Sequence, residues 1–449
     1  MGLNLFISAG EASGEHYGAL LIEALKRRLA AAGQTAGFFG MGGERMVAAG
    51  LRRVVRSEDM AVMGITEVIR HLPRIYAEFR KLKQAVRENR PDVAVLIDFP
   101  DIHFKLAKEL HRLGVPVIFF VSPQLWAWKK RRIRLVQKYV SRMLVIFPFE
   151  EPFYRERDVE AEFVGHPLAE LPLPVIPREQ FAAENGLDPA ATWIGLLPGS
   201  RPKEIRGNLP EMIVAARALE ERTSGAKAQS NSAGLMPRIN PWPTARTRFP
   251  AARKAQGKSD VPNARAEALA YQFLIPLAST LNREQRAEVQ VLVERLAEGL
   301  PIRLVEDARA ALYHARASIV ASGTATVEAA LIGNPFVVVY RVSPLTYAIA
   351  KRVVTVPHVA MANLIAGKRV VPELIQHDFT TAKIVQQIEP LLPDGVPRES
   401  MMQELKAIGS MLRSRQGNEE IGAIDRVAAI TLELAGTASP ARDGYRVES

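Results

Sequence analysis

Along this sequence an unbroken apolar run repeatedly stops at a turn of small residues and passes straight into a helical spacing. Asn4-Leu5-Phe6-Ile7-Ser8, Asp92-Val93-Ala94-Val95-Leu96-Ile97, Val115 through Val121, Met143-Leu144-Val145-Ile146, Trp193 through Leu197, Phe273 through Ala278, Ile302 through Val305, Ala317 through Ala321 and Pro335 through Tyr340 all read this way. Runs that do not alternate with polar residues suit strands buried on both faces of a parallel sheet. Parallel neighbours need a crossover, and a helix supplies it. A chain of 449 residues is too long for one ordinary core. The expected fold class is therefore α/β, with two doubly wound domains facing an interdomain cleft. Prolines 172, 174 and 177 mark the linker between a domain at 1–170 and a second at 171–400. A final helix within 401–436, broken near Gly417, is expected to pack back across that linker, and 437–449 to lack order.

Open α/β sheets place their chemistry at the carboxyl ends of the strands. Leu197-Pro198-Gly199-Ser200-Arg201 lies at such an end, ahead of a helix expected over 209–222. Backbone N–H groups at a helix start suit a phosphate, and Ser200 and Arg201 add a hydroxyl and a planar, two-pronged cation. Ser322-Gly323-Thr324-Ala325-Thr326-Val327-Glu328 is a second such junction, in which Glu328 can accept both hydroxyls of a ribose or sit in an ion pair. Arg341 ends the next strand, and Asn363, Glu373 and Gln376 are polar groups in apolar surroundings.

In the first half, Gly10-Glu11-Ala12-Ser13-Gly14 turns the first strand into a helix expected from Ala19. Glu11 and Ser13 either face the cleft or cap that helix. The spacing is not that of a dinucleotide fingerprint. Asp98 and Asp101 follow the strand ending at Ile97. One can take a proton from an attacking sugar hydroxyl and the other can cap the helix expected near Phe104, which makes Asp98 the general-base candidate. Met60, Met63 and Ile65 open an apolar stripe flanked by arginines and lysines, with a break expected before Pro73. The stripe is either core or a greasy, basic lip suited to acyl chains or a membrane surface. Trp126, Trp128, Lys129, Arg131 and Arg132 together can bury an amphipathic ligand while pairing its phosphate. His166 either touches a ligand or bonds backbone at the hinge.

With no cysteine, disulfides and thiolate chemistry are excluded, and the eight histidines show no tight metal spacing. No metal and no cofactor are expected. No apolar run reaches the ~18 residues of a membrane span and no leader precedes the first strand, which implies a cytoplasmic address. Residues 223–267 carry eight lysines or arginines against Asp260 and Glu267, hence +6 of the formal +11. Five prolines and no apolar periodicity mark this segment as a flexible basic insertion. It could tether the chain to an anionic surface, but without a recognisable binding module no nucleic-acid partner is expected.

Taken together, these motifs resemble the lipid-A-disaccharide synthase family, inverting glycosyltransferases of the two-Rossmann-domain GT-B type. The resemblance also takes in Ala61 through Val68, Val121 through Trp128, Phe163-Val164-Gly165-His166-Pro167, Asn363-Leu364-Ile365-Ala366-Gly367 and Val371 through Gln376, so it spans nearly the whole chain in order. It implies transfer of 2,3-diacylglucosamine from UDP-2,3-diacylglucosamine to the 6-hydroxyl of 2,3-diacylglucosamine 1-phosphate. UDP is released, the sugar carbon inverts, and the enzyme is held at the cytoplasmic face of the inner membrane, an anionic surface; a homodimer stays open. By the same resemblance the essential aspartate falls on Asp98, and the UDP contacts fall on Gly199, Ser200, Arg201, Thr324, Glu328, Asn363 and Gln376. Glu15 stands where the family has Asp, and the basic insertion is not a family feature. The rival readings are a UDP-sugar 2-epimerase on the same plan and a non-catalytic UDP-lipid binding protein.

Overall fold

The computed structural model describes residues 2–60, 65–128, 130–232, 270–278, 280–343, 346–347, 351–352, 356–416 and 419–437. The first half contains β1 (Leu3–Ala9), β2 (Ala36–Gly42), β3 (Arg52–Arg56), β4 (Val93–Ile97), β5 (Val117–Phe120), β6 (Arg142–Val145) and β7 (Ala161–Phe163). They form one parallel sheet in the order β3-β2-β1-β4-β5-β6-β7. The second half contains β8 (Thr192–Leu197), β9 (Tyr271–Pro276), β10 (Ile302–Val305), β11 (Ala317–Ala321), β12 (Phe336–Tyr340) and β13 (Glu373–Ile375). These form a second parallel sheet, ordered β10-β9-β8-β11-β12-β13.

Both faces of each sheet are covered, which is why the strands read as continuous apolar runs. In β1, Leu5 and Ile7 point into a cluster with the helices Ala12–Ala31 and Ala423–Thr437, while Phe6 points the other way onto Leu82, Val86 and Phe104. In β8, Ile194 and Leu196 join the large second-half core, while Trp193 packs beneath the helix Arg178–Asn185. That helix is absent from the sequence reading. Its Arg178 guanidinium lies 3.6 Å over the Trp193 ring.

Helices begin earlier than their apolar spacing indicates. The first starts at Ala12 rather than Ala19, the second-half phosphate-turn helix at Pro202 rather than 209, and the helix after β4 at Pro100 rather than near Phe104. In the last two cases a proline occupies the first helical position, where its fixed φ and missing N–H cost nothing. Each helix therefore begins at the edge of its sheet and aims its N-terminus over the strand ends. Conversely, Pro73 and Pro210 lie inside the helices Ile65–Glu88 and Pro202–Ser232 rather than starting them. The strand β3, also unforeseen, is an edge strand of Arg-Arg-Val-Val-Arg, whose charges hide the apolar signal. The terminal helix is two helices, Val396–Met411 and Ala423–Thr437, separated by an antiparallel pair at Arg415–Gln416 and Glu419–Glu420. Of the basic insertion, 223–232 continue the helix to Ser232, and 233–269 lie outside the described residues, as do 438–449.

Candidate functional site

In each sheet the chain starts in the middle, runs to one side, then returns past its first strand to the other. The reversals fall between β1 and β4 and between β8 and β11. Ligands of open α/β sheets lie at such switch points, beyond the carboxyl ends of the strands. The four turns at these places are Gly10–Glu11, Asp98–Phe99, Gly199–Arg201 and Ser322–Thr324.

After β4, Asp98 and Phe99 both take left-handed backbone, with φ of +50° and +52°. Phenylalanine rarely does so. The turn is accommodated because Gly10 leaves it room: a Cβ on Gly10 would sit 2.3 Å from the Phe99 ring. The Asp98 N–H donates to the Phe120 carbonyl at 2.9 Å, tying the turn to β5. Burial, and then the nearby Glu11 carboxylate, push the Asp98 carboxyl up to about 6, against the Phe99 N–H and Arg201, which favour its ionised form. Arg201 belongs to the second sheet, so its charge reaches Asp98 from the opposite half. Tyr17, on the first helix, feels both Asp98 and Glu328, and its phenol stays protonated.

In the second half Gly199 has φ +120°. The Ser200 N–H is not free: it donates to Glu204 Oε2 at 3.2 Å, so that carboxylate occupies the seat a phosphate would compete for. The Ser200 carbonyl accepts from Thr280 Oγ1 at 3.3 Å, and the Arg201 side chain is half exposed, 3.9 Å from Glu204. Gly323 leads into the helix Thr324–Ile332, with Thr324 exposed at its first turn and Ser322 Oγ donating to the Val359 carbonyl at 3.4 Å. Glu328 is largely buried, and this burial raises its pKa, Arg309 opposing.

Four residues of the expected nucleotide site, Asn363, Glu373, Arg341 and Gln376, make hydrogen bonds within the fold. Asn363 is fully buried, donates to the Val371 carbonyl and to Glu373, and accepts from the Val370 and Val371 N–H groups. Glu373 also accepts from the Val359 and Ala360 N–H groups. The Arg341 guanidinium lies 4.6 Å over the Phe379 ring and donates to the Phe379 carbonyl at 2.6 Å, and Gln376 donates to the Val342 carbonyl at 3.1 Å. A sequence cannot distinguish a polar side chain that binds a ligand from one that braces the loop beside it. Here Asn363 and Glu373 brace the segment whose Val359 carbonyl receives Ser322.

The first-half lip divides similarly. Met60 is buried in the core of the first sheet, so it is not part of an exposed surface. Met63 lies outside the described residues, as does Lys129, and Ile65 opens the helix Ile65–Glu88. Trp126 is buried too: its indole N–H donates to Glu150 Oε1 at 3.0 Å and its ring meets Phe149 edge-on at 5.0 Å. Trp128 is 43% exposed and Arg131 is exposed, while Arg132 pairs with Asp101 at 2.5 Å. Glu11 precedes the helix Ala12–Ala31 without a side-chain capping bond, and Ser13 is exposed within its first turn. Glu15 accepts from the Arg45 N–H at 2.9 Å and so steadies the turn after β2. His166 bonds backbone: its Nδ1 accepts from the Leu168 N–H at 3.1 Å, and its backbone N–H donates to the Leu412 carbonyl at 2.8 Å.

Three groups escaped the sequence reading. His103 lies fully buried behind Asp98, Tyr17 faces it, and Glu150 anchors Trp126. None carries a local motif: Tyr17 and Glu150 gain their meaning from other segments, and His103 from joining the Asp98 turn to Ser8 on β1. Among the described residues no cluster of three or more His, Asp or Glu could hold a metal ion, and no helix is long and apolar enough to cross a membrane.

Two parallel sheets with their switch points turned toward one another define a GT-B-type α/β protein, the plan of nucleotide-sugar glycosyltransferases and epimerases. Solved structures agree on the fold. The Staphylococcus aureus MnaA–UDP co-structure matches with a TM-score of 0.57 at 11% identity, covering 98% of each chain. The calicheamicin glycosyltransferase CalG4 matches with a TM-score of 0.52 at 17% identity, covering 98% of this chain and 100% of that one. The family model described as lipid-A-disaccharide synthetase matches residues 5–233 and 258–424. Lipid-A-disaccharide synthases of Acidobacterium capsulatum and Koribacter versatilis are 53% and 46% identical over 448 and 433 residues, covering 98% and 96% of this chain and 99% of each relative. The chain belongs to the lipid-A-disaccharide synthase family: it is a glycosyltransferase of lipid A disaccharide synthesis, acting on lipid-sugar substrates.

Proposed function

We propose that the cleft between the switch points is the transferase site and that Asp98 is its general base. The second-half turns at Gly199–Arg201 and Ser322–Thr324 receive UDP-2,3-diacylglucosamine, with Arg201 on the diphosphate and Glu328 on the ribose. Binding there displaces the Glu204 carboxylate from the Ser200 N–H. The first half, taken as 1–170, holds 2,3-diacylglucosamine 1-phosphate, with Glu11 and Ser13 at the cleft and Trp128 and Arg131 toward its lipid and phosphate end. The second half is taken as 171–400, and 401–436 return the chain to the first. The 6-hydroxyl oxygen of the acceptor attacks C1 of the donor sugar from the face opposite the diphosphate. The C1–O bond to UDP breaks, the hydroxyl proton passes to Asp98, and the sugar carbon inverts. Arg201 and the two helix N-termini meet the charge that develops on the leaving diphosphate. The exposed Trp128 and Arg131, with Tyr76 also exposed, suit a peripheral seat on an anionic membrane.

One observation carries this reading: a largely buried carboxyl at the switch point of one sheet feels the arginine at the switch point of the other. The test is UDP release by the purified protein given the donor lipid with and without the acceptor lipid. Release that needs both supports transfer, and consumption of donor without acceptor overturns it. Asp98→Ala should abolish turnover while UDP still binds. Persistent turnover would remove Asp98 from the base role.

A further inference from the structure

Asp98 sits on a backbone that should not hold itself. Two consecutive non-glycine residues in the left-handed region are strained, and nothing in the Phe99 side chain can offset this by hydrogen bonding. Directly behind the turn lies His103, in the first half of the helix Pro100–Arg112 and with no exposed surface. Its Nδ1 is 2.6 Å from the Asp98 carbonyl oxygen, and its Nε2 is 2.8 Å from Ser8 Oγ, on β1 and equally buried. A carbonyl can only accept, so Nδ1 carries the proton and donates. The bare Nε2 then accepts from the Ser8 hydroxyl, which fixes the tautomer. Burial pushes the imidazole down to about 4, so it is neutral near pH 7 and this polarity holds there. The ring is wedged edge-on between Phe99 at 5.8 Å and Phe119 at 6.2 Å.

We propose that His103, with its tautomer set by Ser8, is the positioning residue for the catalytic carboxylate: it clamps the Asp98 carbonyl and so holds the left-handed turn that aims Asp98 into the cleft. The proposal rests on Asp98 being the base. His103 itself touches no substrate. The charged and titratable groups that face Asp98 are Glu11 before the first helix, Tyr17 on that helix and Arg201 from the second half; His103 meets the turn from behind, through its backbone. Without the clamp the turn relaxes toward ordinary backbone, and the carboxylate moves relative to Glu11, Arg201 and the acceptor hydroxyl. A displacement of that kind costs rate, not donor affinity.

The experiment compares the full chain with His103→Leu, His103→Asn and Asp98→Asn. It measures kcat, KM for the donor lipid, calorimetric UDP affinity, the acid limb of kcat/KM and Tm. His103→Leu should lower kcat by about a hundredfold and displace the acid limb, with donor KM and UDP affinity unchanged. Asparagine carries an N–H near the place of Nδ1, so His103→Asn should restore most of the turnover. If His103→Leu is folded and keeps the parent's kcat and acid limb, the clamp is refuted. If Leu and Asn variants lose kcat, UDP affinity and Tm together, the role is only structural and the clamp is equally refuted. Asp98→Asn separates the two levels. If it is inactive while His103→Leu turns over normally, this inference alone fails; if Asp98→Asn itself turns over, the base assignment fails first and takes the clamp with it.

Discussion

Asp98 is a carboxyl whose ionisation the fold resists and the proposed base role needs. If it is the base, its pKa of about 6 requires kcat/KM to fall as pH drops below that value, since a protonated carboxyl cannot accept the acceptor's proton. Glu11→Gln removes a like charge and should move this acid limb to lower pH, whereas Arg201→Gln should move it up; a pH–rate series on both variants checks the two signs. Arg201→Gln should also weaken UDP binding by about 1.5–3 kcal/mol, as expected when a charged partner of the diphosphate is lost. The same pKa makes a stability statement. A carboxyl raised from 3.8 to about 6 on folding destabilises the native state once it ionises, a penalty absent below pH 3.8 and complete above about 6. Asp98→Asn should therefore raise stability near pH 7 by roughly 3 kcal/mol while abolishing turnover. Thermal melts at pH 4.5 and 7.5 should show the gain growing with pH. Position 98 was legible in the sequence because an aspartate follows an unbroken strand. Its altered acidity was not, because burial by the fold sets it first, and then Glu11 and Arg201 reach it from two other segments, and His103 looks like any polar residue of an amphipathic helix.

At the scale of elements, the strands were legible wherever both faces are buried, and β3 was missed because its arginines sit at an open edge. Helix starts were misplaced because apolar spacing begins only where a helix reaches the core, whereas the first turn overhangs the strand ends. The segment between β5 and β6 shows how an element-level reading can mislead: two tryptophans beside cations look like one amphipathic surface, yet the fold buries the first and exposes the second. Trp126 donates its indole N–H to Glu150, a buried carboxyl that also accepts the Phe147 N–H at 3.1 Å and is pushed up to about 7, mainly by burial. Trp126→Phe should cost about 1–3 kcal/mol of stability, read by urea melts, with acceptor KM little changed. A lipid-facing Trp126 would give the reverse pattern. Trp128→Ala should leave the melt unchanged and weaken vesicle binding.

For the whole molecule, two doubly wound sheets were readable from the alternation of runs and helices. The return of the chain to its first sheet depends on a partner helix at the other end of the sequence, so a packing helix with a break near Gly417 was expected, but not the helix Ala12–Ala31 that it packs on. The family model leaves 234–257 unmatched, inside the basic insertion between β8 and β9. Lengthening a surface connection costs little, so removing 234–257 should leave turnover within about twofold and Tm nearly unchanged.

The helix Ala423–Thr437 lies on the helix Ala12–Ala31, its Ile424, Val427, Ala428 and Ile430 closing the same cluster as Leu21, Ile22 and Leu25. The lobes are thus laced by two passes of polypeptide, one outbound near Pro172 and one homebound near Gly422. Such a double strap constrains torsion between the lobes more than a single crossing would, because a rotation must strain both at once. It also means that neither lobe is a free-standing unit: an amino-terminal fragment expressed without the distal segment would bare an oily furrow along its outer flank.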